Sequence, residues 1–313
     1  MRQFDVTIAG EINLDLILYG LAEQMPLDRE LLAENFKMTL GSSSAILAHN
    51  LSSMRMRVGF ITRVGSDALG QIALELLSSA GTDVSRTIVA PSPVQTGVTI
   101  LLHHGSTRHI LTYLGTMSQM TVADLDVDFL GNSRHFHISS LFLQKALQPG
   151  LPTLCRELAS KGLTISLDTN DDPDDAWDAP LDELLDLVTV FMPNENEAKR
   201  ITRTEDLDQA VNRLAQRVPI VVVKCGRAGA IVQTGNDRWV IAPPQVEPVD
   251  TIGAGDSFNA GFLKGYLDRK SLAECAAMGN ATAAFSTTRP GGIEAYRDLD
   301  LMHSFLSKYF PME

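Results

Sequence analysis

The chain has 313 residues, a formal net charge of -12 and 44% hydrophobic residues. This length and apolar content suit a globular protein with a sizeable core, whereas the acidic balance argues against a general binder of nucleic acids or membrane surfaces, which reward clustered Lys and Arg. No stretch reaches the roughly 18 uncharged apolar residues of a membrane span.

Short apolar, β-branched runs alternate with helical patterns along the chain. The predicted strands cover residues 4–10, 58–64, 136–139, 163–168, 188–192 and 219–224. The helical patterns between them include residues 44–54, 68–80, 151–161 and 207–217. This alternation predicts an α/β fold with a mainly parallel central sheet and helices on both faces.

Two regions break the alternation. Residues 97–102 and 108–114 predict a hairpin with Gly105 in its turn, and residues 12–19 and 36–40 predict short strands inserted after the first strand. We therefore expect one domain over residues 1–313, with a small, discontinuous antiparallel β lid at about 12–40 and 92–116.

The stretch 249–262 carries the strongest functional signal. Gly253, Ala254 and Gly255 allow a sharp turn and the close approach of a ligand to the backbone, and the apolar spacing that follows predicts a helix. The unpaired N–H groups of a helix start favour an anion. Asp256 has two open roles: it is either an N-cap residue, or a base that accepts a hydroxyl proton while the N–H groups stabilise a migrating phosphoryl group.

Residues 250–258 match the pattern D-T-x-G-A-G-D-x-F at every fixed position and thus resemble the signature of the ribokinase-like (PfkB-type) carbohydrate kinases. The resemblance implies a ribokinase-like fold and an ATP-dependent kinase that phosphorylates a hydroxyl or hydroxymethyl group of a small sugar or sugar derivative. It also implies that Asp256 is the catalytic base and that the N–H groups of residues 253–256 stabilise the transferred charge. A P-loop and a protein kinase are excluded, because neither G-x-x-x-x-G-K-[ST] nor an H-R-D and D-F-G set occurs.

Two further motifs resemble the family's acceptor site. Residues 10–15 match G-[ED]-x-N-x-D, which implies that Asn13 and Asp15 bind sugar hydroxyls; a simple Asn/Asp turn is the alternative. The D-x-N at 168–170 implies a substrate contact from Asn170, at the carboxyl end of a strand, where open α/β sheets bind ligands.

A third acceptor motif departs from the family's pattern. Residues 40–46 occupy the place of G-G-x-x-x-N, and Gly41 is kept as a substrate-binding position. Ser42 replaces the second glycine, and Ile46 replaces the asparagine. An isoleucine removes an amide donor and acceptor, so we expect an apolar wall in the acceptor pocket.

Two metal positions follow from the same resemblance. Residues 193–197 match N-x-x-E, which implies that Asn194 binds the nucleotide and that Glu197 organises Mg²⁺ through water, since Mg²⁺ keeps much of its hydration shell. Complementing the helix N-terminus is the alternative role of the glutamates. Family members often need K⁺ beside the anion loop, which would place that ion near Asp250 and the turn 289–292.

The remaining nucleotide contacts are implied by two other segments. Residues 221–230 resemble the strand and turn that lie under the phosphates and ribose of ATP, with Lys224, Gly226 and Gly229 in the fixed places. Residue Asn280 lies in a small-residue helix that resembles the wall of the adenine pocket. Read alone, these are a strand with its turn and a tightly packed helix.

Two other functions stay open. A nucleoside kinase of the same fold would suit the apolar Ile46, and a non-catalytic sugar- or nucleotide-sensing protein would suit the altered acceptor motif. The expected partners are a sugar-like substrate, ATP and a second copy bound through the lid, with no nucleic acid and no membrane. Three distant cysteines without a C-x-x-C pair, and an N-terminus that does not read as a signal peptide, predict a cytoplasmic location.

Overall fold

The structure is a computed structural model that describes residues 2–104, 107–178 and 180–310. Gly105, the predicted turn residue of the hairpin, lies outside these residues. In the described part of the chain, none of the helices combines the length and apolar character that a membrane span needs.

Strands and helices alternate along the first two thirds of the chain. The strands are β1 (Phe4–Ala9), β2 (Asn13–Leu21), β3 (Asn35–Leu40), β4 (Val58–Ile61), β5 (Arg63–Gly65), β6 (Ile88–Ala90), β7 (Gly97–His104), β8 (Thr107–Tyr113), β9 (Ser133–Ile138), β10 (Thr164–Leu167), β11 (Val190–Phe191), β12 (Ile220–Lys224), β13 (Ala230–Thr234) and β14 (Asp237–Ile241). The helices are α1 (Ser43–Ser53), α2 (Ala68–Ser79), α3 (Val127–Gly131), α4 (Leu151–Ser160), α5 (Leu181–Leu185), α6 (Glu195–Thr202), α7 (Leu207–Ala215), α8 (Ala254–Leu267), α9 (Leu272–Ser286) and α10 (Leu299–Leu306). The predicted strand 58–64 is divided, because β5 pairs with β6 and not with the central sheet.

Eight of the described strands form the central sheet, in the order β14-β13-β12-β11-β10-β9-β1-β4. The strands from β12 to β4 in this order are parallel, and β13 and β14 are antiparallel additions. The predicted, mainly parallel sheet is therefore confirmed. Because parallel strands end at one edge, that edge gathers five polar side chains that end or follow its strands: Glu11, Ser140, Asp168, Asn194 and Lys224.

Helices cover both faces of this sheet and enclose two apolar cores. On one face, α1, α8 and α9 pack with strand residues such as Val6 and Val222. On the other face, α4 and α7 pack with Phe136 and Val221. Successive residues of β12 thus belong to opposite cores, which explains why its sequence is continuously apolar from Ile220 to Val223 and not only at alternate positions.

A second sheet contains four described strands in the order β3-β2-β7-β8. Its outer pairs are antiparallel, whereas the central pair of β2 and β7 is parallel. Ile17 and Leu101 from this sheet pack with Ile252, which lies two residues ahead of α8. The second sheet therefore covers the turn from which α8 begins.

Candidate active site

The first turn of α8 leaves backbone donors open. Gly253 is the N-cap residue, with a φ of 70° and no side chain to cap the helix, and a Cβ at this position would lie 2.6 Å from Cα of Gly292. The conformation and the close approach both require glycine. Among the residues that the structure describes, none accepts a hydrogen bond from the N–H of Gly255 or Asp256, whereas that of Ala254 donates to a preceding carbonyl. The turn thus presents free donors and the positive end of the helix dipole.

Asp256 is the third residue of α8 and not its N-cap, so the capping alternative is wrong. Asp256 is 7% exposed, and the neighbouring Ser43 favours its ionised form. Burial, followed by the charge of Asp168, raises the pKa of Asp256 to about 7, against the opposing effect of Lys224. A carboxylate with this pKa can accept a proton near neutral pH.

Lys224 places a cation beside the open turn. Its ammonium pairs with Asp168, and Asn259 Nδ2 donates to the same carboxylate oxygen at 2.5 Å. A Cβ on Gly255 would lie 3.6 Å from Lys224 Nζ. Burial opposes the charged form of Lys224, but the charges of Asp168 and Glu197, with the hydrogen bond to Asp168, raise its pKa overall. A charged ammonium therefore faces the anion-binding turn.

The predicted acceptor residues of β2 and α1 meet closely. Asn13 Nδ2 donates to Thr99 Oγ1 at 2.7 Å, and Ser42 Oγ donates to Asn13 Oδ1 at 3.0 Å. A Cβ on Gly41 would strike the side-chain oxygens of Asn13 and Asp15. Glycine at position 41 therefore lets both polar side chains approach the start of α1.

Asp15 is a buried carboxylate with unmet hydrogen-bonding capacity. It is 6% exposed, and no hydrogen bond to its carboxylate is found in the described ranges. Burial, and then the charges of Asp256 and Asp250, raise the pKa of Asp15 to about 7. The carboxylate of Asp15 is therefore open to hydrogen-bond donors of a ligand.

Asn170 follows β10 in a left-handed conformation, with a φ of 51°. Its Nδ2 donates to Ser43 Oγ at 2.5 Å and to Ser140 Oγ at 2.9 Å. Both amino hydrogens are engaged, which leaves Oδ1 available for a ligand. The structure thus joins Asn170 to the start of α1 through Ser43.

Ile46 does not form the expected apolar wall toward an acceptor. Its side chain is 3% exposed, and its Cγ2 and Cδ1 atoms lie 3.3 and 3.4 Å from the Cβ position of Gly253. A Cβ on Gly292 would be 2.6 Å from its Cδ1 atom. The isoleucine supports the backbone of the turn before α8 from behind, because it occupies the space that two glycines leave.

The N-terminus of α6 brings together the predicted nucleotide and magnesium residues. Asn194 is the N-cap and forms a capping box with Glu197: the Asn194 N–H donates to Glu197 Oε2 at 2.8 Å, the Glu197 N–H donates to Asn194 Oδ1 at 2.9 Å, and Asn194 Nδ2 donates to Glu197 Oε1. Lys224 is adjacent, since its N–H donates to the carbonyl of Pro193 at 2.9 Å. Burial, then the charge of Asp168, raises the pKa of Glu197 to about 7. The capping alternative holds for Glu197, whereas Glu195 pairs with Lys199.

Two of the other predicted nucleotide residues, Gly229 and Asn280, lie at one carbonyl. Gly226 begins the turn after β12 and Gly229 ends it. A Cβ on Gly229 would strike the carbonyl oxygen of Ile241, and Asn280 Nδ2 donates to the same oxygen at 2.8 Å. Asn280 therefore holds β14 against α9.

The carboxylate of Asp250 accepts hydrogen bonds from three segments of the chain. Its Oδ1 accepts from the Ile252 N–H at 3.0 Å, and its Oδ2 accepts from Tyr19 Oη at 2.9 Å and from the Gly291 N–H at 3.0 Å. The predicted proximity of Asp250 to the turn 289–292 is thus observed. Across residues 2–104, 107–178 and 180–310, no group of three or more His, Cys, Asp or Glu side chains is arranged to hold a metal ion.

Four further residues of the site were not among the sequence candidates: Glu11, Ser43, Asp168 and Asn259. Asp168 opens the same D-x-N motif as Asn170, and Asn259 lies three positions after Asp256, on the same face of a helix. Those two signals were present in the sequence. Glu11 accepts from the N–H and the hydroxyl of Ser44 at 3.2 and 2.5 Å, which no local pattern indicates.

Comparison with known proteins agrees with this geometry. The family model described as pfkB family carbohydrate kinase matches residues 3–299. The chain is 27% identical over 285 residues to a 2-dehydro-3-deoxygluconokinase of Bacillus subtilis, covering 87% of this chain and 88% of the relative. It is also 27% identical over 247 residues to a nucleoside kinase of Methanothermobacter thermautotrophicus, covering 78% and 77%. The structure of Arabidopsis thaliana ribokinase complexed with ribose and ATP superposes with a TM-score of 0.82 at 22% identity, covering 97% of this chain and 98% of that one.

Proposed function

The chain belongs to the pfkB family of carbohydrate kinases and is an ATP-dependent phosphotransferase with an alcohol group as acceptor; from this premise we propose that Asp256 is its catalytic base. The observation that carries the proposal is the pairing, in one helical turn, of open N–H groups with a buried carboxylate. In this mechanism Asp256 removes the proton from the attacking hydroxyl. The open N–H groups of Gly255 and Asp256 and the ammonium of Lys224 stabilise the charge of the γ-phosphoryl group in flight.

The acceptor would bind between the second sheet and α1. Asp15 accepts hydrogen bonds from its hydroxyls, and Asn13 donates hydrogen bonds to them. Ser42 and Oδ1 of Asn170 form further hydrogen bonds with the acceptor. Their arrangement supports a polyhydroxylated acceptor of small size, because polar groups from several segments converge and one of them, Asp15, is close enough to feel the charge of Asp256. We propose a small sugar or sugar derivative, with the hydroxyl or hydroxymethyl group nearest Asp256 as the one phosphorylated.

ATP would lie along the edge of the central sheet from Asn194 to Asn280. Lys224 meets the phosphates, and the turn from Gly226 to Gly229 supports the ribose and phosphates. Both oxygens of Glu197 are engaged by Asn194, so this residue fits a hydrated ion better than a directly bound one. Mg²⁺ bound there with ATP would neutralise phosphate charge, and Glu197 would orient its water shell.

Asp250 is proposed as the neighbour of a K⁺ ion. Its Oδ1 accepts one hydrogen bond and keeps capacity for a cation. The expected result is faster ADP release in potassium chloride than in tetramethylammonium chloride at equal ionic strength. Equal rates in the two salts would refute the potassium requirement.

The second sheet is proposed to act as a lid over one domain formed by residues 1–313, and to pair two copies of the chain. Its outward side chains are apolar and exposed: Phe36, Met38, Ile100, Leu111 and Tyr113. Exposed apolar faces of this kind mark interaction surfaces. Sedimentation should give a dimer that Phe36→Glu dissociates; a monomeric wild type would contradict this part of the proposal.

The cytoplasm is proposed as the location. Cys155, Cys225 and Cys275 are all free thiols, which suits a reducing compartment. The excess of acidic over basic residues supports small-molecule partners in preference to nucleic acid or membrane. Fractionation that recovered the chain in a membrane pellet would oppose this assignment.

The test is an ADP-release assay on aldoses, ketoses, sugar acids and nucleosides, with Asp256→Asn as the control. Phosphorylation of a sugar or sugar acid above the control supports the proposal. Preference for nucleosides would favour the nucleoside kinase alternative, which the relative from Methanothermobacter thermautotrophicus keeps open. Release no greater than the control on every acceptor would favour a non-catalytic sensing protein.

A further inference from the structure

The acceptor pocket offers many hydrogen-bond acceptors and few donors. Asn170 uses both of its amino hydrogens on serine hydroxyls, and Ser42 uses its hydroxyl hydrogen on Asn13 Oδ1. Asn13 Nδ2 donates one of its two hydrogens to Thr99 Oγ1. Of these three proposed contact residues, only Asn13 keeps a side-chain hydrogen for a ligand, whereas all three keep a side-chain oxygen that can accept.

Asp15 adds two further acceptor oxygens. It is buried, and none of the described residues donates a hydrogen bond to its carboxylate. A Cβ on Gly41 would strike Oδ1 of Asp15 and Oδ1 of Asn13, so these two oxygens meet at one point beside the start of α1. A ligand at this point must carry hydrogens to donate. Hydroxyl groups donate, whereas an ionised carboxylate or phosphate only accepts.

The start of α1 is already paired with a carboxylate of the protein. Glu11, which is 2% exposed, accepts from the N–H of Ser44 at 3.2 Å and from Ser44 Oγ at 2.5 Å. The N-terminus of a helix favours an anion, so this one could otherwise bind an acidic group of the acceptor. Because Glu11 takes that role, a second negative charge at the same helix start would be repelled.

The charges around the pocket are mainly negative. The pKa values of Asp15 and Asp256 are raised by burial and then by the charges of neighbouring carboxylates. Lys224 supplies an opposing charge, but its ammonium pairs with Asp168. Residues 171–175, directly after Asn170, add four aspartates and no basic residue. Together the pocket and its neighbours contain five carboxylates that act on one another: Glu11, Asp15, Asp168, Asp250 and Asp256.

We propose that the acceptor is an uncharged, polyhydroxylated molecule, and that the pocket rejects acceptors with a carboxylate or phosphate group. Asp15 determines this specificity, because it requires a hydrogen-bond donor and repels an anion. The proposal rests on the proposed function and names the substrate class of that same site. It narrows the acceptors from sugars and sugar acids to the uncharged ones.

Arg108 is the cation that an acidic acceptor would need. It lies on β8, and its Nη1 donates to Thr251 Oγ1 at 3.3 Å, so a guanidinium of the lid reaches the segment before α8. Burial and then the charge of Asp250 raise the pKa of Tyr19, and the charge of Arg108 opposes them. Asp250 and Arg108 therefore lie near the same ring with opposite charges, and the guanidinium has a counter-charge in the protein itself.

The direct test measures acceptor binding to the wild-type chain by calorimetry, without ATP and at pH 8. At this pH Asp15, whose pKa is raised to about 7, is mostly ionised. The probes are ribose with ribonate, glucose with gluconate, and the best acceptor of the ADP-release panel with its counterpart of changed charge. Glucosamine, a cation of similar size, controls for size.

Each uncharged probe that binds should bind at least about 100-fold more tightly than its acid, which is the scale of one unfavourable contact between like charges. Glucosamine should not show the loss seen with gluconate. An acid that binds as tightly as its uncharged counterpart would overturn the proposal, and so would the absence of binding by every uncharged probe.

Asp15→Asn tests the residue to which the specificity is assigned. The amide keeps the shape, removes one charge and supplies a donor, so the preference for the uncharged member of a pair should fall by about tenfold or more. Asp298→Asn makes the same change at the cap of α10 and should leave the preference unchanged. An equal fall in both variants would overturn the role of Asp15.

Arg108→Gln gives the opposite expectation for the two classes of acceptor. If the acceptor is uncharged, removal of this guanidinium should leave the preference for uncharged probes in place or increase it. A tightly bound acid that is lost in Arg108→Gln would overturn the proposal and assign the acid to Arg108. The comparison of probes on the wild-type chain needs no variant and decides the question even if a variant fails to fold.

The two proposals fail in different ways. A sugar acid that is phosphorylated by wild type and not by Asp256→Asn would keep the proposed function and overturn the uncharged acceptor. Tight binding of an uncharged probe without phosphoryl transfer from ATP would keep the inferred pocket and contradict the proposed function. Transfer to an uncharged acceptor, with its acid bound at least about 100-fold more weakly, supports both.

Discussion

The N-termini of α6 and α8 carry a carboxylate at the same position but differ in how their first N–H groups are hydrogen-bonded. Each helix carries a buried carboxylate at its third residue, Glu197 in α6 and Asp256 in α8. In α6 the carboxylate turns back to the N–H of its N-cap, Asn194, and completes a capping box. In α8 the N-cap is Gly253, which has no side chain, and the first-turn N–H groups of Gly255 and Asp256 meet no acceptor in the described residues.

The difference shows how a helix start is kept available for a ligand. A side-chain cap contributes about 1 kcal/mol to a helix, and α6 has this stabilisation while α8 lacks it. Because Asp256 does not cap its own helix, its carboxylate stays available for the proposed role as base. Substitutions that alter one N-terminus and leave the other intact should therefore separate effects on stability from effects on catalysis.

The largest effect is expected for Asp256→Asn. An amide cannot accept the hydroxyl proton, so kcat should fall by about 10²- to 10⁴-fold, the usual range for a general base. The measurement is phosphorylated product formed at saturating ATP and acceptor. Asp298→Asn is the matched control, because Asp298 caps α10, Asn caps equally well, and its activity should stay at the wild-type level. A loss below tenfold in Asp256→Asn would contradict the role of base.

Alanine substitutions at the two glycines of the turn should have different effects on stability and activity. Gly253→Ala forces a φ of 70° on alanine and places its Cβ 2.6 Å from Cα of Gly292, so we expect a loss of about 2 kcal/mol or more in unfolding free energy and at least about 100-fold lower kcat/KM. Gly255→Ala meets Lys224 only at 3.6 Å and improves helix propensity by up to about 1 kcal/mol. Urea unfolding and steady-state kinetics on both variants check the contrast. Similar stability losses in the two would show that the turn is not specifically strained.

Two aspartates should contribute with opposite signs to the pH dependence of the unfolding free energy. The folded-state pKa of Asp256, about 7, lies above its ordinary value of 3.8, so its contribution is present below about pH 4 and is lost as pH rises through 7. The unfolding free energy of Asp256→Asn should therefore exceed that of wild type by about one to a few kcal/mol at pH 8. At pH 4 the variant should show no such gain.

Asp67 is the comparison for this experiment. Burial opposes its ionised form, but hydrogen bonds from Gly70 and Thr96 outweigh it and lower its pKa. Its stabilisation is present above about pH 4 and is lost as pH falls through the lowered value, so Asp67→Asn should destabilise the protein at pH 7. Denaturant titrations across pH 2 to 8 measure both. The same sign in both variants would contradict the assigned environments.

The smallest effect concerns α6. Glu197→Gln keeps an acceptor for the Asn194 N–H but removes charge, so we expect less than about 1 kcal/mol of destabilisation. If Glu197 orients hydrated Mg²⁺, the variant should need several-fold more Mg²⁺ for half-maximal activity. Glu195→Gln, which loses only the pair with Lys199, is the control. An unchanged Mg²⁺ dependence in Glu197→Gln would show that Glu197 acts only as a capping residue.

The sequence predicts those parts of the site that are local in the chain. The turn, the start of α8 and the position of Asp256 follow from a few adjacent residues, and the parallel sheet follows from uninterrupted apolar strands such as β12. Ser43 could not be predicted, because its hydrogen bond with Asn170 joins the start of α1 to the segment after β10, far away in the chain. The parallel pairing of β2 with β7 was also missed, since four strands and two helices separate these strands along the chain.

Ile46 shows the limit of reasoning from a motif. Its position in the motif predicts a wall facing the acceptor, yet the space left by Gly253 and Gly292 draws its side chain behind the turn. The apolar argument for a nucleobase therefore loses its support from this residue. Only the tertiary contact between the two glycine segments could reveal that placement.

The most direct measurement is amide hydrogen exchange at Gly255 and Asp256, with and without ADP, Mg²⁺ and aluminium fluoride, which mimics a phosphoryl group in flight. The account predicts fast exchange in the free protein and strong protection of both amides in the complex, while the capped N–H of Asn194 changes little. Amides at Gly255 and Asp256 that are already protected in the free protein, or that stay unprotected in the complex, would contradict the claim that this open helix start receives the phosphoryl group.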